Sequence, residues 1–211
     1  MANDYATLAE VQAGFPDSLI ATTTDTAFTG LIESMITRAS RLIDREVGRW
    51  PGYFYPTTDT ATRYYDGSGD IEQPIDDCCS LTSVAVAESG GVASTSYTTW
   101  TEDTDFYVSP YNWSANNEPV HELVIDWNSG KSGWYRYRKA VQVVGIFGWS
   151  TTLPDDIKEA CIIQTVRWYM RSKQGYQDAS ANPEVGRIYM TKLDPDVVTI
   201  LHSYKVRNGN A

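Results

Sequence analysis

Apolar residues recur at helical spacing at both ends of the chain, and the middle alternates. Phe28, Leu31, Ile32, Met35, Ile36, Ala39, Leu42 and Ile43 fall at i, i+3, i+4, i+7 spacing, opposite Glu33, Thr37, Ser40, Arg41, Asp44 and Arg45. This predicts an amphipathic helix from Asp25 to Val47, about 34 Å long at about 1.5 Å per residue, stopped by Gly48 and Pro51. A shorter helix precedes it. Thr7-Leu8-Ala9-Glu10 has the form of a capping box, and Gly14 and Pro16 end the run. Near the other end, a helix is predicted from Ile157 to Gln174 with apolar residues on two sides. Ile162, Ile163, Val166, Tyr169 and Met170 gather on one face, and Ile157, Cys161 and Trp168 on nearly the opposite one. A helix at a surface needs one apolar stripe, so the second must be covered by more of the same chain or by a neighbouring subunit. Ile157, Cys161 and Trp168 are therefore the candidate subunit interface.

From about Tyr53 to Trp149 the period shortens to two. Short runs of Val, Ile, Tyr, Trp and Thr are broken by Gly, Asn, Asp and Pro. Strands are predicted at Thr62 to Tyr65, Leu81 to Ala87, Tyr97 to Thr101, Phe106 to Val108, Glu122 to Trp127 and Ala140 to Phe147. After the central helix, Gly175 to Arg187 is polar and reads as a loop or arm. Asp194-Pro195-Asp196 then supplies a cap, a first-turn proline and an acid at the positive end of a final short helix reaching about Lys205. The expected fold class is α+β: a helical core of two N-terminal helices, a long central helix and a short C-terminal helix, carrying a large β-rich insertion. The segments are 1–52, 53–149 and 150–211.

Composition narrows the chemistry. At 211 residues the chain can bury a core unaided. Its three cysteines, Cys78, Cys79 and Cys161, are odd in number and lack C-x-x-C spacing, so buried thiols fit better than disulfides or a zinc site. No basic leader and no run of about 18 apolar residues is evident, and the expectation is a soluble protein made in a cytoplasm. Seventeen basic against 27 acidic side chains give a net charge of −10. That balance opposes sequence-independent DNA binding, which depends on Lys and Arg neutralising phosphates.

No catalytic constellation is predicted. His121 and His202 lie far apart, with no nucleophile elbow and no phosphate-binding glycine loop. The acid pairs Asp76-Asp77, Asp103 with Asp105, and Asp155-Asp156 are the remaining candidates for acid–base work. Neighbours on a strand point to opposite faces, however, and Asp155-Asp156 suits a helix start. No cofactor and no metal site is expected. The aromatic surplus of 7 Trp and 14 Tyr is the more informative feature. Within Trp134-Tyr135-Arg136-Tyr137-Arg138-Lys139, alternation would place Trp134, Arg136 and Arg138 on one strand face. These three are the candidate contacts to an acidic partner surface, with a solvated hairpin as the alternative.

The order of segments is also familiar. Gly145-Ile146-Phe147-Gly148-Trp149, then Pro154-Asp155-Asp156-Ile157-Lys158-Glu159-Ala160, a long aromatic helix and a closing Leu193-Asp194-Pro195-Asp196-Val197 resemble the head–tail connector (adaptor) proteins of tailed bacteriophages. The resemblance covers the N-terminal helices and residues 141–205, and the middle only in outline. It implies a virion protein of the capsid vertex, assembled in the host cytoplasm. Such a protein forms a twelve-subunit ring beneath the portal, passes double-stranded DNA without specific binding, and receives the tail or a neck-completion protein, with Trp134, Arg136 and Arg138 as the tail-side or partner-contact candidates. It also implies a C-terminal segment reaching towards the portal, with Val197, Val198, Leu201, Tyr204, Lys205 and Arg207 as the candidate portal interface. Another neck or tail-completion ring, or a carbohydrate- or host-surface-binding virion module using the β-region aromatics, are the other readings. At physiological salt the chain should not be retained on duplex DNA. Retention with a steep log–log salt slope would contradict the charge argument.

Overall fold

The computed structural model describes residues 3–15, 26–56, 58–87, 96–173, 179–182, 186–189 and 193–205. The chain divides into two compact units, one of Met1–Phe54 with Leu153–Ala211 and one of Tyr55–Thr152. The first is helical: α1 (Leu8–Ala13), α2 (Thr26–Val47), α4 (Asp155–Lys173) and α5 (Pro195–His202), with a short hairpin of β7 (Ala179–Asn182) and β8 (Gly186–Tyr189). The second holds β1 (Ala61–Tyr65), β2 (Glu72–Val86), β3 (Thr98–Trp100), β4 (Phe106–Ser109), a single helical turn α3 (Trp113–Asn116), β5 (Val120–Ile125) and β6 (Val141–Phe147).

In the helical unit, the capping box closes α1 as the sequence requires. Thr7 Oγ1 accepts from Glu10 N at 3.3 Å, and Glu10 Oε2 accepts from Thr7 N at 2.8 Å. Lys158 reaches the same glutamate at 3.2 Å, tying the start of α4 to α1. Helix α2 buries Ile32, Met35, Ile36, Ala39, Leu42, Ile43 and Val47. Helix α4, which packs against it, buries Ile157, Ala160, Cys161, Gln164 and Thr165. Apart from Ile157 these side chains are small or polar, which lets the helices approach closely. Cys161 Sγ lies 3.5 Å from Ser40 Oγ and 3.9 Å from the Ile36 carbonyl oxygen. Tyr169 closes the far end of this core edge-on to Phe15 and Phe28, at centroid distances of 4.9 and 5.3 Å.

A buried polar node fastens the N-terminal segment to the end of α2. The Tyr5 hydroxyl donates to Asp44 Oδ1 and accepts from Phe54 N at 3.2 Å, while Asp44 Oδ2 accepts from Gly52 N at 3.0 Å. Arg41 Nε stands 3.4 Å from the same carboxylate. Burial is the largest influence on Asp44 and raises its pKa against the opposing effect of these donors.

The sheet unit is antiparallel, ordered β1-β6-β2-β5-β4, with β3 also paired to β2. Its spine is β2, fifteen residues long. The N-terminal half pairs β5, the C-terminal half pairs β6, and register shifts fall between Cys78 and Ser80 and between Leu81 and Ser83. Strand β6 alternates strictly, burying Val141, Val143 and Phe147. The core of the unit centres on Trp134, whose ring packs on Trp100 at 4.8 Å and Phe106 at 6.3 Å, and whose Nε1 donates to the Ile71 carbonyl at 3.0 Å.

This architecture corrects the expected fold class. The chain is not a helical core around one long central helix with a β insertion. Six antiparallel strands form a compact unit with its own core, and the longest helix is α2 at 22 residues, not α4 at 19. Helices α1 and α5 have only six and eight residues. The physical reason is β2, which runs far beyond the predicted Leu81 to Ala87 and gathers strands from the whole middle segment into one sheet. The polar stretch Gly175 to Arg187, read as a loop or arm, holds β7 and the start of β8.

Two outcomes test this packing. Tyr5→Phe removes the acceptor of the Phe54 amide and a donor to Asp44, so urea unfolding should show a loss of about 1–3 kcal/mol. A loss below about 0.5 kcal/mol would mean that water replaces the phenol. The Asp44 carboxyl holds its proton more tightly in the folded than in the unfolded chain. Its contribution to stability is therefore greatest below the unfolded-state value and falls as pH rises through the raised folded-state value, and Asp44→Asn should flatten that slope. Separately, burial pushes the Cys78, Cys79 and Cys161 thiols up to about 11. A disulfide exchange reagent at pH 8 should titrate three thiols only after denaturation. Rapid reaction of the native chain would contradict the packing.

Candidate functional site

The predicted surfaces separate sharply once burial is assigned. On α4, Ile157 and Cys161 are fully buried and Trp168 is half-buried. The candidate subunit stripe is thus largely consumed by the chain's own helical unit, where Cys161 meets α2. On the second face Tyr169 is buried, and Ile162, Ile163, Val166 and Met170 are half-buried. Part of it lies under the end of α1, since a Cβ on Gly14 would stand 3.1 Å from Ile162 Cγ2 and 3.8 Å from Val166 Cγ2.

The C-terminal helix divides in the same way. Asp194 caps α5, accepting from Asp196 N at 3.0 Å, and pairs with Arg167 at 2.6 Å, while its own N–H donates to Gln164 Oε1 at 3.2 Å. Those bonds seat the helix on α4. Val197 and Leu201 are buried against the unit's own core, which removes them from the candidate portal interface. Tyr204 is half-buried: its hydroxyl donates to Asp156 at 2.8 Å and its ring stands edge-on to Phe54 at 5.1 Å. Val198, 43% exposed, and Lys205 face outward. Arg207 lies outside the described residues.

The Trp134–Lys139 segment is not a strand. Trp134 is 0% exposed and belongs to the core of the sheet unit, so it shares no partner-facing surface with Arg136 and Arg138. Backbone bonds turn the segment instead: Gly67 N donates to Tyr137 O and Gly69 N to Trp134 O, both at 2.9 Å, and Lys139 N donates to Asp66 Oδ1 at 2.8 Å. Lys139 adopts φ 52°. A Cβ on Gly67 would collide with the Tyr135 carbonyl at 1.8 Å, so the turn requires glycine there. Arg136, Tyr137, Arg138 and Lys139 are left exposed.

One member of each acid pair is engaged in structural bonds. Asp76 accepts from Arg63 at 2.6 Å and from the Tyr65 hydroxyl at 3.0 Å, while Asp77 lies on the buried face of β2. Asp105 accepts from Thr101 N at 2.8 Å, and Asp156 accepts from Ile157 N at 2.9 Å. Among the described residues, no group of three or more His, Cys, Asp or Glu side chains could hold a metal ion, and no helix is long and apolar enough to cross a membrane.

One cavity in the sheet unit was not foreseen from the sequence. It has a volume of about 280 Å³ and lies where β6 ends and α3 passes, lined in part by Cys79, Trp113, Asn117, Glu118, Trp149 and Ser150. Ser150 Oγ donates to Asn117 Oδ1 at 3.2 Å, and Asn117 holds φ 54°. Trp113 and Trp149 are 36 residues apart, so only the sheet pairing brings them together; the tryptophan surplus was the one legible signal.

No protein-family model matches the chain, and no curated protein matches it. Among solved structures, the chain is similar to one from the neck of an empty gene transfer agent (GTA) particle computed with C6 symmetry. The two are 14% identical with a TM-score of 0.50, over 97% of this chain and 95% of that one. A chain from the neck of the native GTA particle computed with C12 symmetry is 12% identical, with a TM-score of 0.46 over 97% and 94% of the two chains. One from the virion of the native GTA particle is 13% identical, with a TM-score of 0.44 over 94% and 88%. At such identities the first of these likenesses shows a shared fold, running nearly end to end in both chains.

Proposed function

We propose that this chain is a structural head–tail connector subunit of a tailed phage or phage-like particle. In this reading copies form a ring beneath the portal, extend the DNA channel, and offer the next neck or tail protein its attachment surface during genome ejection. The observation that carries the proposal is the end-to-end correspondence of fold with a chain of a particle neck, both units included. The net charge of −10 supports it, because DNA slides past an acidic wall without sticking. A ring of twelve follows from the family resemblance.

Portal contact by the C-terminal segment would use Val198, Lys205 and Arg207, since Val197 and Leu201 are covered within the chain. Mixed with isolated portal rings, the purified chain should add a second tier visible in electron micrographs. A chain truncated before Val206 should fold, by circular dichroism, and bind portal rings more weakly. Decoration of whole necks but not of isolated portals would favour another neck or tail-completion ring, and decoration of neither would end the connector reading.

A further inference from the structure

The sheet unit carries features of opposite charge at the two ends of one strand. Five Lys and Arg residues lie between positions 55 and 152: Arg63, Lys131, Arg136, Arg138 and Lys139. Arg63 pairs with Asp76, Lys131 lies over the Trp100 ring at 4.9 Å, and Lys139 lies over Tyr64 at 5.9 Å. Arg136 and Arg138 are exposed and make no ion pair or side-chain hydrogen bond among the described residues. They sit just before β6 begins at Val141. At its other end, past Phe147, is the cavity of Trp113, Trp149 and Glu118. Glu118 is exposed there, with its carboxylate unpaired among the described residues.

The chemistry of the cavity selects a cation. Indole faces attract a guanidinium, a carboxylate at the rim accepts its N–H groups, and none of the lining residues is basic. Glu118 would repel an anion. The volume falls below the roughly 300–1,000 Å³ of sites for larger small molecules and suits a single side chain. The sheet unit's own unpaired arginines, Arg136 and Arg138, have the matching chemistry, but β6 separates them from the cavity by about 20 Å at about 3.3 Å per residue. An arginine cannot span that distance within one copy.

We propose that the cavity receives the Arg138 guanidinium of a second copy of this chain, with Arg136 beside it at the rim. Because donor and acceptor surfaces are different patches of the same unit, the contact is head-to-tail, the type that closes into rings. It rests on the ring component of the connector reading and reassigns Arg136 and Arg138 from a tail-side partner to the neighbouring copy. It also gives copies that each carry a charge of −10 a local attraction.

The test uses two variants of the full chain, followed by sedimentation velocity at low salt. Arg136→Ala with Arg138→Ala keeps the cavity and removes the cations; Glu118→Arg keeps the cations and blocks the cavity. Wild-type chain should assemble with increasing concentration, and each variant alone should remain monomeric. Mixed in equal amounts, the two variants should form heterodimers that grow no further, because only one productive contact remains. Glu118→Gln, a milder surface change, should weaken wild-type self-association on the order of tenfold. Wild-type chain that stays monomeric, a variant that assembles like wild type, or a mixture without dimers would overturn the contact. So would oligosaccharide binding in the cavity with assembly unchanged. Recruitment to necks is scored separately: chains that decorate necks yet fail these tests leave the connector reading standing without this contact.

Discussion

The close passage of β6 across the bulged half of β2 is the constraint on which the sheet unit depends. At Gly145 a Cβ would stand 2.5 Å from the Ser80 carbonyl oxygen and 2.8 Å from Cys78 Sγ, so only a residue without a side chain lets the strands pair there. The register shifts on either side of Ser80 and Leu81 are the backbone's accommodation of that approach. With β6 fixed, its two ends are fixed as well: the Arg136–Lys139 turn enters at Val141, and Gly148 to Ser150 leave towards the cavity. Gly148 N donates to the Asp77 carbonyl at 2.9 Å, fastening the exit to the spine.

In the helical unit the decisive feature is what α4 presents to α2. Alanine, cysteine, glutamine and threonine make up most of the buried positions of α4, with Ile157 and Tyr169 towards its two ends. Close contact between helices favours small groups, and the polar oxygens on this face find partners: Thr165 Oγ1 donates to the Cys161 carbonyl at 2.7 Å, and Gln164 Oε1 receives the Asp194 amide. The Tyr5–Asp44 node holds the other side of the unit, joining three stretches of backbone through one carboxylate. Both devices consume side chains that sequence pattern alone leaves free for partners. The result is a helical unit with Ile157, Cys161, Val197 and Leu201 turned inward and Val198 and Lys205 turned outward.

Local features were legible in the sequence because their physics is local. The Thr7–Glu10 capping box, the Asp194-Pro195-Asp196 helix start, the amphipathic run of α2 and the alternation of β6 each involve residues a few positions apart. The first half of β2 was hidden because Pro74, Asp76 and Asp77 dilute its apolar alternation, although Gln73 and Asp77 lie on the buried face. Trp134 to Lys139 alternates like a strand, yet its backbone hydrogen bonds go to Gly67, Gly69 and Asp66, more than sixty residues earlier in the chain, and those bonds bend it into a turn.

The sequence by itself determined the amphipathic run of α2, the caps of α1 and α5 and the alternation of β6, that the thiols are few and unpaired, and that the surface is strongly acidic, since periodicity and charge need no knowledge of neighbours. Only the tertiary structure decided that the middle strands share one sheet with its own core, which face of α4 is covered, and that Trp113, Trp149 and Glu118 meet around a cavity. The reason is that burial and proximity between distant residues depend on strand register and helix packing, and these are set by the fit of many side chains at once.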